Sequence, residues 1–148
     1  MTEDRRGFIK HINFYVRDIG TVLPFYDALF EALMMTRATP RSAVATYVSR
    51  DQNGVRIAWF NLYQDPEAVP SRGRIAFRAL SPRHVDEIRA RICEFAIDIE
   101  GPENIVAYDP GYYGLLFADA LGNKFEVAIA NCVADLQRVW PFAGVHAL

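Results

Sequence analysis

The chain is short of several things, and each shortage narrows what it can be. Two cysteines, Cys93 and Cys132, stand far apart with no CxxC or Cys/His cluster. That argues against a cysteine metal centre and for reduced packing cysteines in a cytoplasmic protein. No run of about 18 apolar residues appears, so no membrane span is expected. The N-terminus, MTEDRRGFIKH, carries charge but no apolar signal core, so secretion is not expected either. Basic residues are not in excess: 16 Lys and Arg face 18 Asp and Glu, a net charge of −2, which leaves no footprint for nucleic acid.

What is present is apolar and aromatic. Half of the 148 residues are hydrophobic and 13% are aromatic, enough for one folded domain with a sizeable core. Residues Lys10 to Val16 (KHINFYV) alternate as a strand, with Ile12, Phe14 and Val16 on one face. The other face holds His11, Asn13 and Tyr15, a polar set better suited to a wet cleft than to packing. Asp18 stands where a helix cap would, and Val22, Phe25, Tyr26, Leu29, Phe30 and Leu33 recur at helical spacing over Thr21 to Met34. Pro24 is expected in its first turns. Thr36 to Thr39, Ala43 to Ser49 and Val55 to Tyr63 read as strands, the last two joined by the Asp51-Gln-Asn-Gly54 turn.

Residues 64–73 (QDPEAVPSRG) read as a linker, after which the pattern restarts. Arg74 to Ala79 is a strand, Ser81-Pro82 a cap with a first-turn proline, and His84 to Ala96 a helix with Val85, Ile88, Ile92 and Phe95 inward. Ile105 to Tyr108, Tyr112 to Ala118 and Asn123 to Ile129 are further strand candidates, and Val133 to Val139 a weak last helix before Pro141. A shift of 63 residues lays His11 on Arg74 and Val22 on Val85; a shift of 68 lays the Asp51 turn on the Asp119 turn. The same element order in both halves makes the chain two copies of βαβββ, residues 7–63 and 74–130, with a tail over 131–148.

The segments KHINFYV with its helix, RIAFRA, and PGYYGLLFADALGNKFEV resemble the vicinal oxygen chelate superfamily of glyoxalases, bleomycin-resistance proteins and extradiol dioxygenases. The resemblance implies an α+β fold in which two βαβββ modules form a half-barrel cleft, commonly in a homodimer. It also implies a divalent metal (iron, manganese, nickel or zinc) at positions that fall here on His11, Ala58, Arg74 and Glu126. Two of these are ligand types, His11 and Glu126, and two are not. A facial site needs about three imidazole or carboxylate ligands, and Arg74 brings a permanent cation.

The functional readings therefore divide. In one, His11 and Glu126 hold a metal, or one of them works as a general base, in a lyase, isomerase or dioxygenase reaction. In the other, no metal is held, Arg74 pairs with Glu126, and the cleft binds and sequesters a small organic molecule. In both, Arg74, Asn13, Tyr15 and Tyr113 are the substrate-binding candidates, with Trp59 beside them and Arg74 suited to a carboxylate by its fork. The plainer alternatives are a core role for the aromatics, a satisfied histidine at 11, an outward carboxylate at 126 and solvated charges at 74 and 78. His84, His146 and Cys93 are expected to be bystanders.

Overall fold

The computed structural model describes residues 9–38, 43–104 and 111–129. The first half runs β1 (His11–Val16), α1 (Ile19–Ala32), β2 (Thr36–Arg37), β3 (Val44–Arg50) and β4 (Arg56–Gln64). The second repeats the order with β5 (Arg74–Ala79), α2 (Pro82–Ile92), β6 (Ile97–Glu103), β7 (Gly114–Ala118) and β8 (Lys124–Ile129). Each half forms a four-stranded sheet, β1-β4-β3-β2 and β5-β8-β7-β6, with the first and last strands parallel and the others antiparallel. The expected duplicated βαβββ architecture is therefore present.

Most expected elements appear within a residue or two of their expected bounds; the differences have local causes. Helix α1 begins at Ile19, so Pro24 lies in its second turn, where the missing N–H leaves a gap in the ladder. It ends at Ala32 because Met34 takes the left-handed conformation, φ 60°. Asp18 accepts from the Thr21 hydroxyl (2.9 Å) rather than from a backbone N–H. Ser81 does cap α2, accepting from the His84 N–H at 3.1 Å, with Pro82 next to it. Strand β6 has no counterpart among the expected strands: its Gly101-Pro102 step and two register breaks hide the alternation. The expected strand Ile105–Tyr108 and helix Val133–Val139 lie outside the described residues.

Both sheets turn their apolar faces to one core. Phe14 of the first sheet meets Phe125 of the second at 5.8 Å between ring centroids. From α1, Phe25 touches Phe117 and Phe125, Tyr26 touches Phe60 and Phe125, and Phe30 touches Tyr47, Phe60 and Phe77. Each fully buried aromatic contributes on the order of 2 kcal/mol by leaving water, and rings shared between sheets make the two halves one cooperative body. His84 adds a polar tie between the helices. Its Nδ1 accepts from the Leu80 N–H (3.1 Å) and its Nε2 lies 2.8 Å from the Ala32 carbonyl, which fixes the neutral Nε2–H tautomer.

The deepest polar group is Asp119, fully buried in the β7–β8 turn. One carboxylate oxygen accepts from the Leu121 and Asn123 N–H groups, both at 2.9 Å. The other accepts from the Asn123 side chain and from the Tyr26 hydroxyl, both at 2.8 Å. Burial first, then the Asp119 charge, pushes the Tyr26 phenol far above its ordinary value; burial and Asp27 do the same for Tyr47. A raised phenol stabilises the fold fully below the unfolded value of 10.0 and loses that contribution as pH climbs above it. Stability should therefore fall by about 1.4 kcal/mol per pH unit above that point for Tyr26 alone. Circular dichroism with tyrosinate absorbance across an alkaline titration checks this, and Tyr26→Phe should flatten the slope; an equally steep decline in Tyr26→Phe would rule the phenol out as its source.

Candidate functional site

The faces turned away from the core carry the polar candidates, and strand alternation decides which residues reach them. On the first sheet the parallel register sets His11 beside Trp59, Asn13 beside Asn61 and Tyr15 beside Tyr63. His11 and Trp59 stack at 5.2 Å with only 9° between planes, and Tyr15 and Tyr63 stack at 5.3 Å. Between the stacks runs a directional chain of hydrogen bonds. Thr46 Oγ1–H donates to Asn61 Oδ1 (2.9 Å), and Asn61 Nδ2–H donates to Asn13 Oδ1 (2.8 Å), so the chain ends at the Asn13 amide nitrogen on the edge strand. Lys10 and Arg56 lie over the Trp59 ring, 5.6 and 5.9 Å from its centroid.

On the second sheet, Arg74 stands beside Lys124, Ala76 beside Glu126 and Arg78 beside Ala128. Glu126 is half-buried, and its Oε1 accepts from the Tyr112 hydroxyl at 2.9 Å. Tyr112 is buried because its ring lies over Gly114, where a Cβ would run into the phenol oxygen and ring. A small residue at 114 is thus what lets the phenol reach Glu126.

Three expectations change at this point. Tyr113 does not reach the Glu126 face: its hydroxyl donates to Asp86 of α2 at 2.7 Å, which raises the phenol above its ordinary value, chiefly through that bond. Its neighbour Tyr112 takes the place, a one-residue slip that reverses a strand face. Ala58 is not a corner of the site. The Asp51 and Asp119 turns do correspond, with matching backbone bonds from Gly54 to Asp51 and from Gly122 to Asp119. However, β4 then carries a bulge opposite Ser49 and Arg50, and its extra residue, Ile57, turns Ala58 to the side of Phe60 and Leu62. The shift that lays His11 on Arg74 carries Asn13 to Ala76, whose strand partners are Asn61 and Glu126. Asn61 is the residue that sequence matching through the turn missed. Finally, no ion pair joins Arg74 to Glu126 among the described residues; Arg74 is exposed and Glu126 is bonded to Tyr112.

His11 and Glu126 belong to separate sheets whose apolar faces share one core, so their open faces are both turned outward. Within one chain neither face completes the other. The donor set also does not fit a divalent metal. Two of its corners are the amide Asn61 and the guanidinium Arg74, and among the described residues no three His, Cys, Asp or Glu groups are placed to hold an ion. Cys93 is free and exposed at the end of α2, and Cys132 lies outside the described residues.

The fit of Tyr112 to Gly114 can be tested directly. Gly114→Ala should cost about 1–3 kcal/mol in urea unfolding, because the ring must leave its place over the sheet. Tyr112→Phe, which keeps the ring and loses the hydroxyl bond to Glu126, should cost about 1 kcal/mol. Equal stability of Gly114→Ala and the native chain would contradict the close packing.

The sequence matches no protein-family model and no curated protein. Solved structures do match. A glyoxalase/bleomycin resistance protein from Albidiferax ferrireducens superposes with a TM-score of 0.66 at 20% identity, covering 84% of this chain and 100% of that one. A glyoxalase/dioxygenase from Nostoc punctiforme gives a TM-score of 0.58 at 20% identity, covering 89% and 97%. A fosfomycin resistance protein from Listeria monocytogenes, crystallised with Mn(II) and sulfate, gives 0.62 at 17% identity, covering 90% and 97%. Among the described residues no helix is long and apolar enough to cross a membrane. The duplicated βαβββ sheets and these superpositions together identify the chain's fold as that of the glyoxalases, bleomycin-resistance proteins and dioxygenases, the vicinal oxygen chelate fold.

Proposed function

We propose that the protein binds a small organic molecule without a divalent metal, in a cleft built from the His11–Trp59 face of one copy and the Arg74–Glu126 face of a second. The observation that carries this is the pair of substitutions at the corners of the site. A hydrogen-bonded amide, Asn61, and a guanidinium, Arg74, replace ligand types a metal would need. The ligand contacts in this reading are His11, Trp59, Asn13 and Tyr15 on one side, with Arg74, Tyr112 and Glu126 on the other. Support for the homodimer comes from β1 and β5, each the edge strand of its own sheet among the described residues, and from the outward direction of both polar faces. The free thiol of Cys93 suits a reducing cytoplasm.

One observation favours a second, enzymatic reading. The Tyr112 hydroxyl holds one oxygen of the half-buried Glu126, as an oriented general base would be held. In that reading His11 and Glu126 move protons on the bound molecule, as in lyase or isomerase chemistry.

Equilibrium dialysis against Mn, Fe, Ni and Zn with elemental analysis separates these from a metal enzyme. The native protein should retain no stoichiometric ion at micromolar concentration, whereas the double substitution Asn61→Glu with Arg74→His should create a site. Stoichiometric binding by the native protein that Glu126→Ala abolishes would overturn the metal-free reading and restore the metal-dependent lyase, isomerase or dioxygenase. Sedimentation should report a dimer; a monomer at all concentrations would remove the two-copy cleft.

A further inference from the structure

The ion pairs of the described residues all draw their carboxylates from the helices: Arg37 with Asp27, Arg91 with Glu31 and Arg83 with Glu87. Among the described residues the cations of the open faces have no such partner. Arg74 and Lys124 are side by side on adjacent strands, both exposed, and Arg78 follows on the same face of β5. Like charges in register on neighbouring strands cost stability unless something negative lies between them. Glu126, two residues further along β8, is engaged by Tyr112 and forms no ion pair with either. The chain as a whole is slightly acidic, at −2, so this positive row is a local concentration and not a reflection of general basicity.

The first sheet presents the complementary feature. Its corresponding row is the flat His11–Trp59 stack, with Lys10 and Arg56 near the indole. A ligand meeting both rows encounters a planar aromatic surface at one end and paired cations at the other. A guanidinium accepts a carboxylate through two parallel N–H donors, and a neighbouring ammonium adds a point charge without competing for the fork.

We infer that the Arg74–Lys124 row is an anion subsite and that the cleft's ligand is a small planar organic carboxylate, its carboxylate on Arg74 and Lys124 and its flat body against the His11–Trp59 stack. The inference rests on the metal-free, two-copy cleft, and it adds the ligand's charge and shape. Asn13, at the end of the amide chain, supplies an N–H donor beside the stack for a polar substituent on the ring.

Calorimetric titration of the 148-residue chain with benzoate, neutral benzamide and cyclohexanecarboxylate tests it. Benzoate should bind, and benzamide and cyclohexanecarboxylate should each bind at least about tenfold more weakly. The double variant Arg74→Gln/Lys124→Gln should lose about a hundredfold in benzoate affinity. Arg83→Gln, on the helical side, should lose none. Equal binding of benzamide and benzoate, or full benzoate affinity in the double variant, overturns the anion subsite. So does the absence of benzoate binding at millimolar concentration, even where dialysis and sedimentation uphold the metal-free dimer. If Trp59→Leu keeps full affinity while the double variant loses it, the anion subsite stands and the two-copy cleft falls.

Discussion

The buried carboxylate of Asp119 is the constraint on which the two halves depend. It closes its own turn by taking the Leu121 and Asn123 N–H groups, and it reaches across the chain to the Tyr26 hydroxyl on α1. The same turn holds the linker, because the Ser71 N–H donates to Asn123 Oδ1 at 3.2 Å. A buried carboxylate without partners would be strongly destabilising, so four donors on one group set the turn, the linker and the helix relative to one another. Strand β8 leaves directly from this turn, and its register with β5 is set from that anchored end. Phe125 enters the ring cluster between the sheets, and Glu126 is left on the opposite face. The position of the candidate carboxylate is thus a consequence of core packing one residue before it.

The same period of two explains how much of the site was legible in the sequence. Alternation in KHINFYV separated His11, Asn13 and Tyr15 from Ile12, Phe14 and Val16, and the structure keeps that division. The restart at Arg74 needed only a repeat in register, which apolar spacing in β5 and α2 provides. The errors arise where one residue more or less reverses a face. Ile57 is such a residue: the Asp-x-x-Gly turns match, yet the bulge after one of them turns Ala58 to the core face, and β4 then runs two residues further before Asn61 meets Asn13 as Glu126 meets Ala76. Tyr112 and Tyr113 differ in the same way, and neighbouring tyrosines give alternation nothing to choose between. Gly114 was the available signal, since a residue without Cβ leaves room for a ring to lie across the sheet. Strand β6 stayed hidden for a different reason, its pairing with β7 being broken twice around Gly101 and Pro102.

The bulge changes the chemistry assigned to the first sheet. With Ala58 as a corner, that side of the site would be empty, and a missing ligand is a defect that water or substrate can fill. With Asn61, the position holds an amide already committed at both ends, accepting from Thr46 and donating to Asn13. An amide oxygen that accepts a hydrogen bond from a hydroxyl and an amide nitrogen that donates one form a polar ladder. Such a ladder orients neutral donors and acceptors on a ligand, and it offers little charge to a divalent ion.

The second sheet carries the complementary electrostatics. Arg74 brings a guanidinium to the open face of β5, and Lys124 doubles that charge in the neighbouring strand. A metal ion brought to this face would meet two fixed cations before it met Glu126, a repulsion that a single carboxylate does not offset. An organic anion would meet the reverse: attraction from the row, hydrogen bonds from the fork, and a Glu126 carboxylate already engaged by Tyr112. The scaffold that elsewhere can present a cation through a bound metal would here present one through its own side chains. A ligand's negative oxygens could then be held on the same sheets with the metal's role taken over by arginine and lysine.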